Sequence, residues 1–66
     1  MVRRDGAYLM VVDTDGRRCL IRITAIQFLV DGDALQDTTI IVVAGRLIVV
    51  AEPLEDVLSV IDGRTR

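Results

Sequence analysis

Two apolar runs separated by a glycine constrain this chain more than any other feature of its sequence. Residues 38–44 are Thr-Thr-Ile-Ile-Val-Val-Ala and residues 47–51 are Leu-Ile-Val-Val-Ala, with Gly45-Arg46 between them. β-branched residues favour strands, so the pattern predicts a hairpin. A strand with water on one side alternates apolar and polar residues, and these runs do not alternate. We therefore expect both faces of this hairpin to be covered.

A short amphipathic helix is predicted next, at about residues 53–62. Pro53 suits the first helical position, and acidic residues in the first turn suit the helix dipole. An apolar stripe at helical spacing is expected to face the sheet: Leu54, Val57, Leu58 and Ile61. Gly63 is the expected stop, and residues 64–66 are expected to fray. One helix covers only one face of the hairpin.

The N-terminal half predicts strands at about residues 7–13 and 18–30, joined by a turn at Asp15-Gly16. Alternation in the second strand predicts an inward set and an outward set: Cys19, Ile21 and Ile23 against Arg18, Leu20, Arg22 and Thr24. By the same rule three later residues are expected to share one face: Ile26, Phe28 and Val30. Asp31-Gly32-Asp33 indicates a turn or bulge. Periodicity leaves open whether residues 18–30 form one bent strand or two.

The predicted fold is one mainly β (α+β) domain over residues 1–66. Four to five short antiparallel strands form hairpins in a curled sheet or small barrel, and the helix follows. Ordering 66 residues costs on the order of 100 kcal/mol, which asks for roughly 4,000 Å² of apolar burial. The sequence has one cysteine and no histidine, so disulfides and common zinc sites are not at hand.

Oligomerisation is therefore the expected remedy, with the apolar hairpin as the shared surface. The expected interface residues are Ile40, Ile41, Val42, Val43, Leu47, Ile48, Val49 and Val50. The expected partner is a second copy of the chain or another protein. The alternative is that these strands lie at the centre of a small barrel closed within one chain.

The residues needed for enzyme chemistry are missing, so we predict no catalytic residue, no cofactor and no metal. Histidine is absent, Cys19 is expected on an inward strand face, and no glycine pattern matches a phosphate loop. An EF-hand loop ends in glutamate at position 12. The corresponding residues counted from Asp13 and Asp31 are Thr24 and Val42. Turn aspartates that bond their own backbone explain the acidic clusters.

An arginine patch gives the alternative function, a nucleic-acid-binding regulatory domain. Its residues would be Arg17, Arg18 and Arg22, joined by Arg3 and Arg4. Three aspartates lie among them, Tyr8 is the one aromatic residue nearby, and the net charge is −2. A solvated edge that deters strand pairing is the favoured interpretation of these charges.

The cellular location expected from the sequence is the cytoplasm. The apolar run after Arg3 and Arg4 is shorter than a signal-peptide core, and Asp13 closes it. The longest apolar stretch, 38–51, is too short for a membrane-spanning helix. A single cysteine fits a reducing compartment.

The C-terminal half has an order of strand, glycine turn, strand and acidic helix start. Its segments are Asp37-Thr38-Thr39-Ile40, Gly45-Arg46 and Val50-Ala51-Glu52-Pro53-Leu54-Glu55-Asp56-Val57. This half resembles small flagellar-operon proteins of the FlbD/SwrD type. The resemblance covers about half the chain and implies a short non-enzymatic bacterial protein that supports motility through partners. The N-terminal half departs from the family pattern, with Asp15-Gly16 at its asparagine-glycine turn. LytTR-like DNA-binding modules share the same order of elements.

Overall fold

The computed structural model describes residues 1–63. The elements, in chain order, are β1 (Arg3–Asp5), β2 (Tyr8–Val12), β3 (Arg18–Arg22), a 3₁₀ turn (Ile23–Ala25), β4 (Ile26–Asp31), β5 (Thr39–Val43), β6 (Arg46–Val50) and α1 (Leu54–Ile61). The expected frayed tail at 64–66 lies outside the described residues.

The strands form two antiparallel three-stranded sheets, ordered β1-β2-β3 and β4-β5-β6. The prediction of a mainly β chain with one C-terminal helix is confirmed. Six strands are present rather than four to five, and the described residues form no closed barrel. The additional strand, β1, consists of three exposed charged residues. It has no apolar period that could have revealed it.

Residues 18–30 form two strands that belong to different sheets. The 3₁₀ turn at Ile23–Ala25 separates β3 from β4. A β-bulge between Ile26 and Phe28 then shifts the pairing with β5. A bulge adds one residue to a strand and so reverses the face of every residue after it. Ile26 and Leu29 pack against the core, whereas Phe28 and Val30 point to solvent. The expectation that Ile26 shares a face with Phe28 and Val30 is therefore wrong.

The two predicted hairpins are present, and their turns use residues at positive φ. Gly16 has a φ of 84° in the β2–β3 turn, where the Asp13 N–H donates to the Arg17 carbonyl. The β5–β6 turn is Ala44-Gly45, with φ values of 51° and 74°. Two successive positive φ values are typical of the type I′ turn that joins paired strands. Arg46, expected in that turn, begins β6 instead.

The core lies between the inner faces of the two sheets and the helix. Its fully or nearly buried members are Leu9, Val11, Ile21, Ile41, Val50 and Val57. Cys19 and Ile23 pack against this cluster, so the predicted inward set of the second hairpin strand is confirmed. A bridge between Asp13 and Val50 joins the end of β2 to β6. The two sheets therefore meet at one corner and separate away from it.

The helix docks on a face that differs from the predicted stripe. Val57 is fully buried, and Val60 and Ile61 pack against the core. Leu58, which was expected to face the sheet, is 42% exposed, so that part of the prediction is wrong. The periodicity of the helix allows either of two overlapping apolar stripes, and packing against the sheets selects the one that includes Val60.

Both ends of the helix have local explanations in the sequence. Pro53, predicted at the first helical position, is instead the N-cap with extended backbone, and the helix begins one residue later, at Leu54. Gly63, at a φ of 73°, donates its N–H to the Val60 carbonyl, which confirms it as the stop. The Arg4 guanidinium donates to the Ile61 carbonyl at 2.7 Å. A cation at this end interacts favourably with the helix dipole and ties β1 to the helix.

Candidate interaction surfaces

The outer face of the sheet β4-β5-β6 consists of apolar side chains on all three strands. Strand pairing aligns them in two rows, Phe28–Val42–Leu47 and Val30–Ile40–Val49. We call these six residues the apolar face. None of them belongs to the core cluster or packs against it. They lie on the side of the sheet that is turned away from the rest of the chain.

The apolar face is open to solvent at its edges and covered at its centre. Phe28, Val30 and Leu47 are 58%, 42% and 69% exposed. Val42 is 9% exposed because it lies on the central strand, between Phe28 and Leu47. Ile40 and Val49 are partly exposed. Burying this surface would remove exposed Phe, Val and Leu side chains from water, which is the dominant favourable term in association.

The eight predicted interface residues divide evenly between the two sides of this sheet. Four point into the chain's own core or pack against it: Ile41, Val43, Ile48 and Val50. The other four lie on the apolar face: Ile40, Val42, Leu47 and Val49. Phe28 and Val30 also belong to this surface, which the sequence did not predict. No residue type in β4 signals the bulge that turns them outward.

The three residues of the predicted arginine patch lie on β3 or next to it, but two of them are engaged within the chain. The Arg17 guanidinium pairs with the Asp13 carboxylate at 2.9 Å and approaches Asp15 at 3.6 Å. Arg22 lies 5.2 Å from the Tyr8 ring centroid and donates to the Tyr8 hydroxyl. Within residues 1–63, Arg18 forms no ion pair. Arg4 faces the helix end and is therefore directed away from the patch.

The aspartates in the turns bond to backbone N–H groups, as predicted for turn residues. The Asp13 carboxylate accepts hydrogen bonds from the N–H groups of Asp15 and Arg17. The hydrogen bond from the Arg17 backbone, together with its guanidinium, lowers the pKa of Asp13 below its ordinary value. Asp33 accepts from Leu35 and Gln36 in the same manner. In residues 1–63, no group of three or more acidic, Cys or His side chains is arranged to hold a metal ion.

A cleft of about 540 Å³ separates the free edges of the two sheets, between β3 and β6. We call it the edge cleft. Its apex is the Asp13–Val50 bridge. The side chains from the core side that line it are Cys19, Ile21, Val43 and Ile48, and its four arginines are Arg17, Arg18, Arg22 and Arg46. Among the residues on the core side of the cleft, Cys19 has a free and partly buried thiol.

No protein-family model matches the chain, and no curated protein or solved structure matches it. The resemblance to FlbD/SwrD-type proteins therefore stays a prediction. No helix within residues 1–63 has the length and apolar character to cross a bilayer.

Proposed function

We propose that this chain is a small protein-interaction module that assembles with a second copy of itself through the apolar face. One observation carries the proposal. Six apolar side chains fill the outer face of a three-stranded sheet, and none of them belongs to the chain's core cluster or packs against it. The solvent-facing side of an antiparallel sheet ordinarily carries polar residues, and this side carries apolar ones.

The size of the apolar face predicts a weak dimer rather than a permanent one. Its exposed fractions correspond to on the order of 400 Å² of apolar surface, in the range that is often functional on small proteins. Burying it on two copies gains about 20 kcal/mol at about 25 cal/mol/Å², against an association cost of about 4 to 15 kcal/mol. The difference, about 5 to 16 kcal/mol, corresponds to dissociation constants of about 0.2 mM or tighter. The area buried on two copies, about 800 Å², is that of a weak interface and favours the micromolar end of this range.

A second copy suits this surface because all six of its side chains are uncharged. A two-fold axis places the same patch against itself, so an interface free of charged side chains meets no like-charge repulsion. Two sheets packed face to face about 10 Å apart also form a sandwich whose interior excludes water. The resemblance of residues 37–57 to flagellar-operon proteins supports a role among partners, with motility as the implied process.

The test is the solution mass of the parent chain and of two matched variants. Sedimentation from about 5 µM to about 1 mM is expected to give a concentration-dependent monomer–dimer equilibrium. Leu47→Glu places a charge in the apolar face and is expected to give a monomer throughout. Leu20→Glu is the control, because Leu20 and Leu47 are similarly exposed, at 65% and 69%, and both lie on edge strands. Leu20, on β3, lies outside the apolar face.

Two results would contradict the proposal. One is a parent chain that remains monomeric at about 1 mM, since the area estimate predicts association well below that concentration. The other is a loss of association in Leu20→Glu equal to that in Leu47→Glu. Equal losses would place the contact elsewhere or indicate a general effect of added charge.

The nucleic-acid alternative has weaker support. Of the three arginines that it requires, Arg17 and Arg22 are engaged with Asp13 and Tyr8. Stacking with bases would use exposed aromatic rings near the cations. Tyr8 is already held by the Arg22 side chain. A salt-steep affinity for oligonucleotides, lost in Arg17→Ala/Arg18→Ala, is the result that would revive this alternative.

A further inference from the structure

We propose that the edge cleft binds an extended segment of a partner protein as an added β-strand, and that this segment alternates apolar and acidic residues. The bound segment would pair with β3 on one side and with β6 on the other. It would join the two sheets at the edge where they separate. This site uses the backbone edges of β3 and β6, whereas self-association uses the outer side chains of β4, β5 and β6. Leu47 and Val49 contribute to both surfaces.

The first support comes from the backbone of β3. In the β2–β3 ladder the Asp13 N–H bonds to the Arg17 carbonyl, and beyond its other end the Ile23 N–H bonds to the Ala7 carbonyl. Bonded and non-bonded pairs alternate along an antiparallel ladder. Given the register of β2 with β3, the N–H and carbonyl of Leu20 point away from β2. Among residues 1–63 these two groups have no hydrogen-bond partner.

The second support comes from the opposite wall, β6. The Thr14 N–H donates to the Val49 carbonyl at 3.1 Å, so the Val49 carbonyl points away from β5. By the same alternation the N–H and carbonyl of Leu47 point away from β5, toward the cleft. No partner for them is found in the described part of the chain. Thr14 already makes with β6 the kind of bond that an added strand would continue.

The side chains of the cleft define the sequence that it selects. Alternate residues of an added strand point to opposite faces. Residues that point inward would meet Ile21 and Ile48, so apolar side chains fit there. Residues that point outward would lie beside Arg18 and Arg22 on the β3 side, so carboxylates that pair with these arginines fit there. On the β6 side the outward neighbours are Leu47 and Val49. Two of the ten acidic residues of the chain line this cleft, against four of its eight cations. The cleft is therefore cationic on a chain whose net charge is −2.

The dimensions fit a short peptide. A strand residue occupies about 3.4 Å along the chain, about 4.8 Å between strands and about 10 Å between faces. A volume of about 540 Å³ therefore holds three to four residues. The lining includes no aromatic residue on which a nucleic-acid base could stack. Unpaired backbone donors and acceptors at strand spacing favour a peptide over a nucleic acid.

The test uses a blocked synthetic peptide of about seven residues in which Val and Glu alternate, long enough to span the five-residue strands β3 and β6. Titration by NMR is expected to show binding that weakens with added salt. Hydrogen exchange at the Leu20 and Leu47 amides is expected to slow on binding, because both N–H groups become bonded. Methylation of alternate peptide nitrogens is expected to abolish binding.

Charge reversal on the protein supplies the matched variants. Arg18→Glu and Arg46→Glu are each expected to weaken the peptide at least tenfold. Arg3→Glu is the matched comparison and is expected to weaken the peptide less than Arg18→Glu does. Arg3 is an exposed arginine on β1 that lies outside the edge cleft, although it shares a second cavity with Arg18 and Leu20. None of these three arginines pairs with another residue among 1–63, so the fold is expected to persist. None belongs to the apolar face, so the dimer equilibrium is expected to stay unchanged.

Four results of the peptide titrations would overturn the inference. They are no binding at millimolar peptide, equal binding of the methylated peptide, an affinity that is the same in Arg18→Glu and the parent, and equal binding of a peptide with Lys in place of Glu. Tighter binding of a thymidine oligonucleotide than of the acidic peptide would also overturn it and assign the surface to nucleic acid. Because sedimentation reports the dimer separately, failure of this inference leaves the proposed function standing.

Discussion

Substitution of two neighbouring helix residues tests how α1 docks. Val57→Ala removes two methyl carbons from a side chain with 0% exposure. At about 0.8 kcal/mol per carbon, with about 1 kcal/mol for the cavity and about 0.5 kcal/mol returned by the higher helix propensity of alanine, the expected cost is about 2 kcal/mol. Leu58→Ala removes three carbons from a side chain that is 42% exposed and encloses no cavity. Its expected cost is about 1 kcal/mol.

The smaller deletion is therefore expected to be the more damaging one. For a domain of this size about 1 kcal/mol shifts the melting temperature by about 4 to 8 °C. Val57→Ala is expected to lower the melting temperature by about 10 °C and Leu58→Ala by about 5 °C. Circular dichroism melts measure both at one fixed protein concentration, because association makes the melting temperature concentration-dependent.

The result that would refute this reasoning is a Leu58→Ala cost equal to or above that of Val57→Ala. It would show that the helix docks through the stripe expected from periodicity. Near-zero effects of both substitutions would show that the helix does not dock at all.

Three further predictions concern turns and caps. Folding lowers the pKa of Asp13, so its carboxylate stabilises the fold fully at pH values above the ordinary pKa of 3.8, and this stabilisation is lost as the pH falls through the lowered pKa of the folded state. Asp13→Asn is expected to reduce this loss of stability at acid pH, as measured by urea unfolding at several pH values. Ala44→Asn is expected to stabilise the fold by about 0.5 to 1 kcal/mol in thermal melts, because asparagine adopts the positive φ of this turn position more readily than alanine. Ala7→Asn is the control, at a turn residue without positive φ, and is expected to bring no gain in stability. Arg4→Gln is expected to cost about 1 kcal/mol by removing the charged donor to the Ile61 carbonyl, and an unchanged melting temperature would contradict that bond.

Local patterns predicted the secondary structure of this chain well where a turn or a cap gave a signal. Asp15-Gly16 identified the first hairpin, the two β-branched runs identified the second, and Pro53 and Gly63 bracketed the helix to within a residue or two. Each of these signals acts within about four residues, because it reflects a backbone angle or a local hydrogen bond. β1 was not predicted, because its three exposed charged residues show no strand pattern and only its pairing with β2 makes it a strand.

The candidate surfaces depended on information that the sequence holds only in part. The apolar hairpin predicted that something must cover both of its faces, and its outward half became the apolar face. Its inward half, with Ile41 and Val50, is covered by the other sheet and the helix within the same chain. The edge cleft could not be foreseen, because it lies between β3 and β6, which are separated by more than twenty residues and come together at one corner only.

The sequence by itself determined where the strands and the helix form, because propensity, turn residues and capping act over short distances. Only the tertiary structure decided which side of each two-sided apolar strand is buried. The bulge at Ile26/Phe28 reversed the parity of β4, and the packing of the helix chose Val57, Val60 and Ile61 over Leu58. The physical reason is that periodicity records which residues share a face, whereas burial depends on which other element that face meets.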